Sequence, residues 1–116
     1  MLLQLNNNTT ASYAWHYLRG NGSTVSASAG SSTTNIRPGE LGTSKSNPTV
    51  GIIDILDYAS TTKATTVRYV NGYDNNGSGL VQVGSGLWTE NFAINAITLQ
   101  FGDVNPATVA LYGIKG

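Results

Sequence analysis

Gly51-Ile-Ile-Asp-Ile-Leu-Asp-Tyr58, Thr66-Val-Arg-Tyr-Val70 and Leu80-Val-Gln-Val83, with Leu87-Trp88 beyond it, are apolar runs divided by a polar break and a glycine-rich turn. They read as three antiparallel strands in a row. The first carries apolar residues on both faces, Ile52 and Leu56 on one and Ile53 and Ile55 on the other. That pattern predicts a strand in the middle of a sheet.

Upstream, Leu2–Leu5 is a short strand stopped by Asn6-Asn-Asn-Thr-Thr10, whose side chains compete with ladder hydrogen bonds. From Ser12 to Arg19 the residues alternate, with Tyr13, Trp15, Tyr17 and Arg19 on one face and Ala14, His16 and Leu18 on the other. Gly20-Asn-Gly-Ser23 supplies a tight turn, and a weaker strand follows over Thr24–Ala29. Residues 30–49 lose this periodicity, hold two prolines and three glycines, and offer Ile36 and Leu41 as anchors. They are expected to form a long surface loop with a contact role.

Downstream, Gly84-Ser-Gly86 allows a bulge or bend before Leu87-Trp88. Two further strands are expected, Ala96–Phe101 and Thr108–Ile114. Seven or eight short strands at about ten-residue spacing, with no helix and no repeat, indicate an all-β, antiparallel sandwich of jelly-roll type. The 116 residues form a single domain, long enough to bury about two-thirds of the surface of the unfolded chain.

Composition narrows the function. Gly, Ser, Thr and Asn make up 51 residues, yet 40% of the chain is apolar and arranged in short runs, so the sequence reads as folded. Six acidic residues balance six basic ones, which leaves no basic face for nucleic acid or for an anionic membrane. No run approaches the length of a membrane span. Cysteine is absent, which removes thiolate metal sites and thiol nucleophiles, and His16 is the one histidine.

Three constellations invite chemistry, and each has a plainer reading. Asp54 and Asp57 stand three apart, so a regular strand points them to opposite faces and denies them a shared substrate. Asp54, if buried, needs a partner such as Arg68. Asp74, Asn76, Ser78 and Gly79 match the start of a calcium loop, but the twelfth position is Ser85 where a glutamate is required, so a hairpin turn is expected. No serine lies in a Gly-x-Ser-x-Gly elbow. The residues point to a binding or structural module without catalytic residues, metal or cofactor.

Tyr13-Ala-Trp-His-Tyr-Leu-Arg-Gly-Asn-Gly-Ser23, Ile53-Asp-Ile-Leu-Asp-Tyr58, Gly72-Tyr-Asp-Asn-Asn-Gly-Ser-Gly79, Ser85-Gly-Leu-Trp88 and Ala110-Leu-Tyr-Gly-Ile-Lys-Gly116 occur in order over nearly the whole chain. In these motifs it resembles small β domains of tailed-bacteriophage virion structural proteins, capsid-decorating or tail-fibre-like, from cyanophage-like phages of aquatic bacteria. Longer members of that group carry a further β segment and often a shaft ahead of the Tyr-x-Trp-His-Tyr-Leu strand, and the absence of both here favours decoration over fibre. The resemblance thus implies a cement protein on the capsid exterior, a homotrimer that binds the major capsid protein or other virion proteins and stabilises the shell. The residues 30–49 and the N-terminal segment, pairing with a neighbour's edge strand, are the expected contacts. The alternative is a tail-fibre or receptor-binding head that recognises host-surface glycan, with Trp15, Tyr17 or Trp88 stacking on sugar rings. Trp15, Tyr17, Ile36, Arg37, Leu41 and Trp88 are the candidate contact residues across the two readings.

Overall fold

The computed structural model describes residues 1–42, 47–102 and 107–114. Seven strands are formed, with no helix among the described residues: β1 (Leu2–Leu5), β2 (Tyr13–Gly20), β3 (Val25–Thr33), β4 (Val50–Ile55), β5 (Thr65–Asp74), β6 (Gly79–Trp88) and β7 (Ile97–Gln100). Five of them build one antiparallel sheet in the order β3-β2-β6-β5-β4, and β1 and β7 build a second, antiparallel pair packed on it. The protein is an all-β sandwich. Its strands divide five and two, against the eight in two sheets of a full jelly roll.

Turn chemistry sets the hairpins. Between β5 and β6, Asn76 and Gly77 take positive φ (60° and 94°), and Asn75 N–H donates to Ser78 O at 2.7 Å. This is the mirror-image two-residue turn that matches strand twist. Between β2 and β3, Asn21 Oδ1 accepts from the amides of Ser23 and Thr24. A one-residue register shift between Tyr13 and Trp15, opposite Thr33 and Gly30, marks a bulge in β3, where Ser32 has φ 52°.

The core lies between the sheets: Leu3 and Leu5 from β1, Tyr13 and Trp15 from β2, Val67 and Tyr69 from β5, Trp88 from β6, and Ile36. Tyr13 ties the layers together. Its Oη accepts from Leu5 N–H at 3.0 Å and stands 3.2 Å from Leu5 O and 3.1 Å from Asn8 O. Asn6 closes the small sheet at its end, with Oδ1 accepting from Asn95 and Ala96 N–H and Nδ2 donating to Ala93 O.

Four expectations are corrected. The run Gly51–Tyr58 is not central: β4 is the edge of the large sheet, and its second apolar face is left uncovered. Residues 30–49 are not a surface loop, since the first four belong to β3 and the next ones cross the inner face from one sheet edge toward the other. Along that crossing Ile36 bridges Leu3, while Ile36, Pro38, Gly39 and Gly42 are buried. Residues 43–46 of that stretch lie outside the described residues. The glycines of β6 do not bend it; the strand is continuous, and Gly84 and Gly86 face Tyr69 Oη and the Ile36 side chain where no Cβ fits. Finally, Thr108–Ile114 forms no strand and is exposed.

Candidate interaction surface

The three aspartates singled out in the sequence each have a local partner. Asp54 is exposed and receives two hydrogen bonds from Arg68, at 2.7 and 3.1 Å across the β4–β5 ladder, which is the partner expected for it. Asp57 sits in the turn after β4 and pairs with Lys63 at 3.5 Å. Asp74 Oδ1 accepts from Gly77 N–H at 2.9 Å, so the calcium-like run is occupied in capping its own hairpin. No group of three or more potential metal ligands occurs among the described residues.

The six candidate contact residues separate into core and rim. Trp88 and Ile36 are buried completely and Trp15 is only 8% exposed, so none is a platform for a ligand. The physical reason is the covering sheet: the aromatic face of β2 points at β1, not at water. Tyr17 is half-buried and stacks on Trp15 with ring centroids 5.6 Å apart. Exposed Arg37 lies over the Trp15 ring at 5.4 Å from its centroid, and Leu41 is half-buried. Of the six, Arg37 alone is an exposed side chain.

What the strands do bring together is the opposite face of the large sheet. Register places one apolar residue from every strand in a single cross-strand row: Ala27, Leu18, Val83, Val70 and Ile52. All five are exposed, with Val83 at 48% and Ile52 at 63%. The adjacent row runs Val25, Gly20, Val81, Gly72 and Val50, where two glycines separate three exposed valines. On the other side lies a polar row, Ala29, His16, Ser85, Arg68 and Asp54, in which Ser85 Oγ approaches His16 Nε2 at 3.4 Å. Beyond it are Ala14, Leu87 and Thr66, with Leu56 N–H bonded to Thr66 O.

Five strands about 4.8 Å apart, spanned by two rows about 7 Å apart, give an apolar patch on the order of 300 Å². It is bordered by the Arg68–Asp54 pair. Neighbouring branched side chains already pack across the ladders, so the surface is rigid before any partner arrives. The alternation in β6 carried the signal for this face, because Val81, Val83 and Leu87 oppose Gln82 and Trp88. Only one set faces the core, and the bulkier Trp88 takes it.

A concave feature lies at the end of the sheet, between the β2–β3 and β5–β6 hairpin tips. It is a polar cleft of about 610 Å³ lined by residues including Arg19, Asn21, Glu40, Tyr73 and Asn75, with an Arg19–Glu40 ion pair on its wall. Tyr17 lies under the Arg19 guanidinium at 5.6 Å. No family model, no curated protein and no solved structure matches this chain.

Proposed function

We propose that this chain is a structural protein of a tailed-bacteriophage virion, a capsid decoration or cement protein that binds the capsid exterior as a homotrimer and acts by contact, not catalysis. The observation that carries the reading is the exposed apolar face built on Ala27, Leu18, Val83, Val70 and Ile52. The patch is of the size that the largest apolar patch of a monomer often has, and such patches are often contact sites; its continuity across all five strands is what supports a protein partner. Its chemistry suits a neutral, weakly polar shell surface, since the chain has no net charge to steer a charged one. Weak contacts repeated over an oligomer then hold by avidity. The test is location and copy number in the intact particle by cryo-EM. Hundreds of copies on the shell, lost when Val83→Lys is introduced, are expected; absence from the capsid overturns the reading.

The second reading, a tail-fibre head for host-surface glycan, draws on the polar cleft and not on the tryptophans. Tyr73 offers a ring, and Arg19, Asn21, Glu40 and Asn75 offer donors and acceptors suited to sugar hydroxyls. A handful of copies at the tail, with glycan-induced shifts in the Tyr73 resonances, would favour it over decoration.

A further inference from the structure

Thr108–Ile114 carries apolar residues on both alternating faces, Val109 and Leu111 on one and Ala110, Tyr112 and Ile114 on the other. Such a strand belongs in a sheet covered on both sides. Here it has no ladder partner among the described residues, and Leu111, Tyr112 and Ile114 are 80%, 83% and 86% exposed.

Among the described residues, an edge of matching character is open in the same molecule. Leu56 N–H donates to Thr66 O, on the β5 side. Counting back by twos, the backbone groups of Val50, Ile52 and Asp54 also face β5, and those of Gly51, Ile53 and Ile55 point outward. β4 is apolar on both faces, with Ile53 and Ile55 packed against the core and Val50 and Ile52 on the exposed face. Its one charge, Asp54, is already paired with Arg68. The six residues of β4 match the length of the seven-residue segment. The other edge of the sheet, β3, fits less well, because Ser26, Ser28 and Gly30 give nothing apolar for one face of an added strand to cover.

We propose that Thr108–Ile114 of one copy adds as a sixth strand along β4 of a second copy of this chain. Added there, its two faces extend the inner core and the outer apolar face together. Donor and acceptor are different parts of the molecule, so the contact is head to tail, and the proposal is that it closes as a ring or a reciprocal exchange and does not run on as a filament. The surface and partner differ from those of the capsid contact, and the inference stands or falls on the purified protein alone.

The chain has no cysteine, which makes cross-linking clean. A chain with Ile52→Cys is mixed with chains carrying a single cysteine at position 109, 110, 111 or 112, and oxidised. A disulfide between two different chains is expected for at least one of these positions, since added strands bring Cα atoms within about 4.4–6.8 Å. Sedimentation is expected to give a closed oligomer for the native sequence and a monomer for Leu111→Lys with Tyr112→Lys, while fluorescence of the buried Trp15 and Trp88 stays unchanged. A monomeric native protein, an oligomer indifferent to the two lysines, or bridging found only within a single chain that carries both cysteines overturns the proposal.

Discussion

At Gly86, a Cβ would lie 2.6 Å from Ile36 Cδ1, closer than carbon atoms approach. Gly86→Ala is therefore expected to cost about 1–3 kcal/mol by overpacking. Combined with Ile36→Ala it should cost less than the two single changes added, because the overlap is shared; denaturant titration of the four proteins checks this. Tyr13 makes a different prediction. Burial raises its phenol, and that of Tyr69, above the ordinary value of 10.0. The folded form thus keeps protons that the unfolded chain releases first, so stability is complete below pH 10 and falls as pH rises through the elevated folded values. Thermal melts from pH 8 to 11 should show this loss, smaller in Tyr69→Phe. Tyr13→Phe should in addition lose about 1–3 kcal/mol at neutral pH, since Leu5 N–H is left buried without an acceptor. In the sequence Gly84 and Gly86 read as a bend, because a lone chain does not say what stands opposite a glycine. Ile36 arrives from fifty residues away, and only the fold brings it there.

At the scale of the element, β4 shows what alternation can and cannot tell. Its two-sided apolarity is real, and so is the antiparallel run of β4, β5 and β6. Position in the sheet was not legible, because apolar residues facing an intended partner look the same as those facing a core. The aromatic stripe of β2 was legible as a stripe, but not as core, until β1 and Ile36 were seen to cover it. The two hairpin turns, by contrast, were legible from Asn76-Gly77 and Asn21-Gly22, and it is the fold that adds the registers, including the bulge opposite Tyr13 and Trp15. Gly77→Ala, at φ 94°, is accordingly expected to cost about 1 kcal/mol with no loss of fold, measured by urea unfolding.

Across the whole molecule, the sandwich has one covered face and one open one. The covered face sets stability, and Trp88→Ala is expected to cost about 3–5 kcal/mol and to bring a small domain close to unfolding at ordinary temperature. In the proposed function, the open face carries association. Val83→Lys, with its head in water in the free chain, gives up its cross-strand packing on Leu18 and Val70 and should cost about 1 kcal/mol, well short of unfolding the domain. Any concentration dependence of the native melting temperature should then report assembly, since whatever binds only the folded form raises its apparent stability.

The pairing of β1 with β7 joins Leu2 to Gln100 and Leu5 to Ile97. A growing polypeptide therefore holds Leu3 and Leu5 without their partner strand until the hundredth residue has cleared the ribosome. With loops this long to close before the small sheet forms, refolding belongs to the slow, millisecond-to-second range of sandwich topologies. A nascent chain stalled before β7 leaves Leu3 and Leu5 without their partner strand and the aromatic face beneath them open to solvent, the kind of exposed apolar surface that chaperones bind.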